Sequence, residues 1–144
     1  MEMVYYAKLN PEEGGGFWVQ FPDVPEALTN GDTKAEALAE AQDALIAALG
    51  HYVGNGLDLP APRRRKGLAP VAVPPLVAAK LALYQAMRAQ RVTGAALAKR
   101  LKVADTTVRR LLDLDHRSHI GEVEAALAAL GLRLAVRVET AKAA

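Results

Sequence analysis

The stretch that decides the fold of the second half of this chain is TGAALAKRLKVADTTVRRLL, residues 93–112. Leu97 and Leu101 lie four residues apart in it, on what would be the same side of a helix. This spacing predicts a helix over residues 94–102 that has one apolar face. Thr93 precedes that helix, at the position where a hydroxyl commonly caps the first turn. The stretch therefore opens with a short capped helix.

A second short helix is predicted over residues 105–112, directly after a tight turn at Lys102-Val103. The small Ala98 of the first helix allows the two helices to cross closely, and Val103 is expected to fill the turn. Many turns of this kind contain glycine, but lysine also adopts a positive φ at a modest energetic cost. The residues expected to face inward are Val108, Leu111 and Leu112. The arrangement resembles the helix-turn-helix signature of DNA-binding domains.

The outer face of the second helix carries side chains that suit the major groove of DNA. Arg109 and Arg110 match guanine O6 and N7 or a phosphate, and the threonines before them match a phosphate or a thymine methyl. Asp105 has two interpretations, as a cap of this helix or as an acceptor from cytosine N4. The alternative for the whole region is a helical interaction domain whose basic face is only hydrated. The predicted DNA-binding residues are Thr93, Lys102, Asp105, Thr106, Thr107, Arg109 and Arg110.

Charge is divided unevenly along the 144-residue chain. Residues 1–62 hold two basic and ten acidic residues, for a net charge of −8. Residues 63–144 hold sixteen basic and six acidic residues, for a net charge of +10. A basic half suits phosphate, and an acidic half suits a basic protein partner. The alternative is that the charged faces only keep the chain in solution.

The composition excludes several kinds of site and location. The chain has no cysteine, so disulfide bonds and thiolate metal ligands are impossible. No apolar run approaches the ~18 residues that a membrane-spanning helix needs. The acidic start at Met1-Glu2 lacks the basic and apolar layout of a signal peptide. We therefore expect a cytoplasmic protein.

The first half alternates in the manner of β-strands before it becomes helical. Strands are predicted over residues 3–9, 17–21 and 27–30. Gly14-Gly15-Gly16 supplies the positive φ angles that a hairpin connection needs. Alternation along FWVQF leaves Trp18 exposed and buries Phe17, Val19 and Phe21. Thr33 and Glu36 form a predicted capping box, in which each side chain meets the amide of the other residue. The helix after it is expected to bury Leu38, Ala41, Leu45, Leu49 and Tyr52.

A proline-rich stretch, residues 59–75, marks the predicted boundary between the halves. The run Arg63-Arg64-Arg65-Lys66 within it is either a hydrated linker or a source of extra phosphate contacts. Residues 68–73 are predicted as a strand at a sheet edge, since Pro70 is tolerated only there. Further helices are expected over residues 75–90 and 120–130. Residues 132–139 then alternate as a strand, which is expected to pair with its copy in a second subunit.

Catalytic and metal sites receive little support from the sequence. A metal-dependent nuclease needs several converging carboxylates, but the first predicted strand, residues 3–9, contains no acid. His116 and His119 are spaced for a shared metal, yet no acid is placed to complete a site. The glycines of the first hairpin lack the Lys-Ser/Thr and helix of a phosphate loop. We therefore predict no enzyme activity, no metal and no cofactor.

Several motifs together resemble the HicB antitoxin family over nearly the whole chain. In the first half they are EEGGGFWVQFPDVP at residues 12–25, GDT at 31–33 and EAL at 36–38. In the second half they are VAAKLALY at residues 77–84, RRLLD at 109–113 and HRS at 116–118. One departure is Glu26-Ala27, where many members have Gly-Cys, which leaves the fold intact but alters the contacts of that corner.

The resemblance implies two activities for one chain. The first is a degraded RNase H-like domain that binds and neutralises a HicA-type mRNA-cleaving toxin. The second is a carboxyl-terminal domain that represses the operon of the pair, in a chain that assembles as dimers or tetramers. Because such a toxin must be basic to hold RNA, the predicted toxin-binding residues are an exposed aromatic and nearby acids: Glu12, Glu13, Trp18, Asp23 and Asp32. The alternative for Trp18 is that it covers a neighbouring strand or a second subunit.

The sequence patterns, together with what this resemblance implies, predict an α+β protein built from three segments. Residues 1–66 form a toxin-binding, partial RNase H-like domain of a small sheet and a helix. Residues 67–75 form a linker or edge strand, and residues 76–144 form an all-α helix-turn-helix domain with a terminal dimerisation strand. The alternative function is a one-component transcriptional regulator whose first domain senses a small ligand.

Overall fold

The computed structural model describes residues 3–141, which divide into two compact units, 3–78 and 79–141. The predicted α+β class is confirmed. The first half contains β1 (Val4–Pro11), β2 (Phe17–Phe21), β3 (Val24–Gly31), α1 (Lys34–Gly54) and β4 (Ala69–Ala72). It is followed by α2 (Pro75–Gln90), α3 (Gly94–Leu101), α4 (Asp105–Leu112) and α5 (Ile120–Ala129). No helix among the described residues is long and apolar enough to cross a membrane.

The four strands form one antiparallel sheet in the order β3-β2-β1-β4. The β1–β2 connection contains Gly14, Gly15 and Gly16, all at positive φ as predicted. The third strand is longer than expected because it begins at Val24, with only two residues between it and the end of β2. A register irregularity at Gln20/Phe21 accommodates this tight return.

Helix α1 packs against one face of the sheet, and their contact forms the core of the first unit. Gly31 allows the close approach, because an added Cβ would lie 2.4 Å from the backbone nitrogen of Ala37. Ala37 is consequently buried, whereas Leu38 and Tyr52, predicted to be buried, are only half-buried. The main buried side chains of this core are Tyr5, Ala7, Val19, Phe21, Val24, Ala27, Ala41, Leu45 and Leu49.

The cap of α1 is confirmed in one half and wrong in the other. The Thr33 hydroxyl accepts from the Glu36 amide at 3.1 Å, as the capping box predicts. The Glu36 carboxylate, however, accepts from the amide of Asp32 at 3.2 Å rather than from that of Thr33. The chain turns from β3 into the helix at this point, which brings the preceding amide within reach.

The proline-rich stretch before β4 is attached to the sheet by side chains. The Tyr5 hydroxyl donates to the carbonyl oxygen of Pro60 at 2.7 Å. The Asp23 carboxylate accepts from the amide of Arg63 at 2.8 Å and pairs with the Arg65 guanidinium at 3.1 Å. After these contacts, β4 pairs with β1 at the sheet edge, where a strand containing Pro70 was predicted.

The second unit buries the inner faces of its helices, and α3 packs against both α4 and α5. Its core is formed mainly by Leu81, Leu83, Met87, Leu97, Ala98, Val108, Leu111, Val123, Ala126 and Leu127. Residues 131–141 form no strand in this single chain, so the terminal strand predicted at residues 132–139 is not formed here. Pairing of this segment with a second copy of the chain stays a prediction.

Candidate functional site

The turn between α3 and α4 has the left-handed residue that the sequence predicts. Lys102 adopts φ 57° and ψ 44°, and its amide donates to the carbonyl oxygen of Lys99. The next amide, that of Val103, donates to the carbonyl oxygen of Ala98 at 3.0 Å. These two bonds satisfy the free carbonyls of α3 and stop the helix at that point. The expectation that Val103 fills the turn is wrong, because its side chain is 39% exposed.

The start of α3 is also capped as predicted. The Thr93 hydroxyl accepts a hydrogen bond from the Ala96 amide at 3.1 Å. Gly94 follows it, and a Cβ added there would come within 3.8 Å of the Val108 side chain on α4. The beginning of α3 and the middle of α4 therefore cross closely.

Helix α4 has one buried face and one exposed face. Val108 and Leu111 are buried, whereas Arg109 and Arg110 are exposed, as the helical period predicts. Among residues 3–141, neither arginine side chain takes part in an ion pair. Of the remaining predicted contacts, Lys102 and Thr106 are exposed and Thr107 is half-buried. The exposed face is therefore basic and its guanidinium groups are available for a ligand.

The capping interpretation of Asp105 is wrong. The cap position belongs to Ala104, which makes no side-chain capping bond, and Asp105 is the first residue within α4. An acid in the first turn still interacts favourably with the helix dipole. Since Asp105 is exposed, a contact with a base edge stays a prediction.

The strand register brings most of the predicted toxin-binding residues to one end of the sheet. Trp18 on β2 lies opposite Asn30 on β3, and the adjacent pairs are Pro11 with Phe17 and Phe17 with Gly31. At this same end of the sheet, β1 continues into the acidic hairpin connection and β3 continues toward α1. The residues gathered there are Glu12, Glu13, Trp18 and Asp32, and all four are exposed.

Asp23 does not belong to this group. It lies in the β2–β3 turn, at the opposite end of β2 from Trp18. Its carboxylate holds Arg63 and Arg65, and its side chain is only 11% exposed. The carboxylate therefore organises the chain around the turn and has little surface left for a partner.

Leu28 is a surface residue that the sequence interpretation missed. It lies on β3 opposite Gln20, one diagonal step from Trp18, and is 61% exposed. Trp18 is 39% exposed, and the face on which both lie is opposite to that covered by α1. The signal that could have identified Leu28 is its position next to Ala27 in the predicted strand, because neighbouring strand residues face opposite sides of a sheet and Ala27 is buried.

Neither a surface groove of the first unit nor the histidines of the second unit form a charged ligand site. A groove of about 270 Å³ lies between α1 and β4, and no charged side chain lines it; its lining is Leu38, Ala39, Gln42, Pro70, Val71 and Ala72. Among residues 3–141, no group of three or more His, Asp or Glu side chains could hold a metal ion. The ring of His116 instead lies 3.1 Å from the Ser118 hydroxyl.

Comparison with known proteins assigns the class of this chain. Residues 4–82 match the family described as "HicB_like antitoxin of bacterial toxin-antitoxin system". "Antitoxin HicB 2" of Photorhabdus laumondii is 43% identical over 133 residues, covering 92% of this chain and 94% of the relative. "Antitoxin HicB" of Escherichia coli K12 is 37% identical over 136 residues, covering 93% and 98%. "Antitoxin HicB" of Pseudomonas fluorescens is 38% identical over 141 residues, covering 96% and 97%.

These relatives are antitoxins, and the similarity extends across both halves of the chain. The chain belongs to the HicB-like antitoxin family.

Proposed function

We propose that this chain is a non-catalytic antitoxin that neutralises a HicA-type toxin with its sheet and represses its own operon with α3 and α4. The observation that carries the DNA-binding part is the division of α4 into a buried apolar face and an exposed face with two arginines, which form no ion pair among residues 3–141. Helices α3 and α4, joined by a three-residue turn, have the order and length of a helix-turn-helix, in which the second helix enters the major groove.

The roles of individual residues follow from their positions. Arg109 and Arg110 read guanine edges or hold phosphates, and Thr106 lies one turn earlier for a phosphate or a thymine methyl. Lys102, held in the turn, contributes a phosphate contact. The Thr93 hydroxyl is already used as a cap, so it contributes mainly by fixing the start of α3. Phosphate contacts position the helix, and base contacts select the sequence.

The DNA-binding proposal is tested by replacing Arg109 and Arg110 together with alanine. We expect specific binding to the DNA upstream of the chain's own gene to be lost, at about 1–3 kcal/mol for each contact, without unfolding. The measurement is a gel-shift titration at fixed salt, against a scrambled duplex of the same length.

The matched control is Arg63→Ala with Arg64→Ala, which removes the same charge from exposed positions of the first unit. This control is expected to retain the preference for the specific duplex over the scrambled one. Equal specific affinity of the α4 variant and the wild-type chain would exclude this face as the reader of DNA.

The toxin-binding part of the proposal uses the acidic end of the sheet. Trp18 and Leu28 supply exposed apolar area, and Glu12, Glu13 and Asp32 supply negative charge beside Trp18. Tryptophan is over-represented among residues that dominate interface energies. A toxin that must be basic to bind RNA offers the complementary surface, and charge complementarity favours fast association.

The toxin-binding proposal is tested with Trp18→Ala. We expect toxin affinity to fall by about 2 kcal/mol or more, while operator binding by the antitoxin alone changes little. Calorimetric titration with the product of the neighbouring toxin gene measures the effect. Leu57→Ala is the control. Leu57, like Trp18, is an exposed apolar residue, but it lies beyond the end of α1 and outside the proposed interface. Toxin binding by Trp18→Ala at wild-type affinity would remove this residue from the interface.

A further inference from the structure

A buried lysine lies at the centre of the second unit. Lys80 on α2 has no exposed surface, and it is the only residue with a charged side chain that is buried among residues 3–141. Its ammonium donates to the carbonyl oxygens of Arg110 at 2.8 Å, Asp113 at 2.7 Å and His116 at 2.8 Å. The fourth neighbour is the Ser118 hydroxyl at 2.9 Å. Four oxygen atoms from one short segment therefore surround one cation.

The oxygens come from the end of α4 and from the segment that follows it. The last carbonyls of a helix have no partner within the helix, and the helix dipole makes that end negative. At Arg110, Lys80 supplies both a hydrogen-bond donor for the carbonyl oxygen and a positive charge at the negative end of the helix. The same carbonyl oxygen also accepts from the Ser118 hydroxyl at 3.3 Å. Between α4 and α5 the chain has no regular secondary structure, so Lys80 supplies several of the bonds that hold residues 113–118 together.

Burial of a charge is costly unless the charge is fully hydrogen-bonded. Burial lowers the pKa of Lys80, while the charges of Asp113 and Glu122 act in the opposite direction. An apolar side chain of similar length would avoid the cost, but it would remove one donor from each of the three carbonyl oxygens and would form no directional bond to them. Hydrogen bonds of under 3 Å from one nitrogen hold α2, α4 and the following segment in one relative position.

We propose that Lys80 is a positioning residue for DNA reading, which holds the carboxyl end of α4 so that Arg109 and Arg110 meet the bases in the correct orientation. The inference rests on the proposed DNA-binding function of α4. Lys80 acts through Arg110. It binds the backbone carbonyl of Arg110, and the side chain of Arg110 lies on the exposed basic face. Lys80 itself is buried and cannot reach a phosphate.

The test compares Lys80→Met with the wild-type full-length chain. Each protein is titrated with a duplex carrying the DNA upstream of its own gene and with a scrambled duplex, over a series of salt concentrations. We expect the affinity for the specific duplex to fall by about tenfold or more, as for loss of a good base contact. The affinity for the scrambled duplex and its salt dependence should stay unchanged, because no phosphate contact is removed.

Ser118→Ala is the second variant, in case Lys80→Met does not fold. It keeps the lysine and removes one of the four oxygens, so a smaller loss of the same kind is expected. Amide hydrogen exchange should also become faster at residues 113–118 in either folded variant. Lys99→Met is the control, since this exposed lysine on α3 can affect only charge.

The outcomes separate this inference from the function on which it depends. If the wild-type chain does not distinguish the two duplexes, the proposed function fails. If the wild-type chain does distinguish them and the folded variants retain its preference, the positioning role is wrong. An equal loss of affinity for both duplexes would also overturn it, because that result would reflect only a less stable fold.

Discussion

Single side chains make the long connections of the first unit. Tyr5 is buried on β1, and its hydroxyl donates to the carbonyl oxygen of Pro60, far along the chain. Asp23 similarly joins the β2–β3 turn to the arginine run. Each of these residues therefore joins the segment before β4, which has no regular structure, to the sheet. The attached segment then leads into β4.

Because the Tyr5 side chain is buried, we predict that the stability of the chain falls at high pH. Burial, with smaller contributions from Asp23 and Tyr52, raises the pKa of Tyr5 from 10.0 to about 12. The folded chain therefore binds more protons than the unfolded chain between pH 10 and 12, so stability falls as pH rises through that window. Tyr5→Phe has no such proton to lose, and its free energy of unfolding should fall less steeply there.

The measurement for Tyr5→Phe is denaturant unfolding at a series of pH values. At neutral pH the variant should be less stable by about 1 kcal/mol, because the bond to Pro60 is lost. Tyr6→Phe is the matched control on the same strand, where alternation places the side chain on the other face. Identical pH profiles of Tyr5→Phe and the wild-type chain would contradict the prediction.

At the scale of elements, some helices end with a glycine at positive φ, and others end with a basic residue that adopts this conformation at a cost in stability. Helices α1 and α5 end with a glycine at positive φ, Gly56 and Gly131, whereas α2 and α3 end with Arg91 and Lys102 in the same conformation. A left-handed conformation costs a residue with a side chain about 1–2 kcal/mol relative to its usual one. Non-glycine residues held this way concentrate at functional sites. The positively charged end of α3 is next to the face proposed to bind DNA.

Lys102→Gly is expected to separate the two contributions of this residue. Glycine should stabilise the fold by about 0.5–1 kcal/mol, since the gain from relieved strain exceeds the added freedom of the unfolded chain. DNA binding should weaken equally for specific and scrambled duplexes, and its salt dependence should decrease by about one phosphate contact.

Lys102→Ala is the control for this experiment, because it removes the same charge and retains the strain. It should weaken DNA binding to the same extent without the gain in stability. Thermal unfolding and salt-dependent titration measure both effects. If Lys102→Gly binds DNA as tightly as the wild-type chain, Lys102 is not a phosphate contact.

At the scale of the whole molecule, residues 132–139 are a segment that pairs with no strand among residues 3–141. Val136 and Val138 are 84% and 93% exposed in it, and its apolar residues alternate with polar ones. Pairing with a second copy would bury this alternating face and would present two copies of α4 to DNA. We therefore propose that this segment joins subunits, and that the domain for DNA binding includes it.

Val136→Asp combined with Val138→Asp is expected to convert the assembly to monomers. Charges on the paired face oppose burial, and operator affinity should fall because only one α4 then binds at a time. Sedimentation velocity measures the mass, with Arg133→Asp as a control on the opposite side of the alternation. A double variant that keeps the wild-type mass would assign assembly to another surface.

Local patterns in the sequence predicted the elements and several of their faces. The bounds of α2, α3, α4 and α5 differ from the predicted ones by at most one residue, because apolar spacing and caps act within a few residues. The exposure of Trp18 and of Arg109 follows from the same short periods. Charge segregation likewise needs only the sequence. The likeness of the first unit to RNase H stays a prediction.

The contacts that distinguish the sites were decided by the tertiary structure alone. Asp23 was predicted to face a partner, but residues 40 and 42 positions later occupy its carboxylate. Lys80 appeared only as part of a family motif, yet it binds atoms 30 to 38 positions away. Pairing of three strands brought Glu12, Glu13 and Asp32 beside Trp18. Such contacts depend on chain segments that meet only when the whole unit packs, and no periodicity along the sequence encodes them.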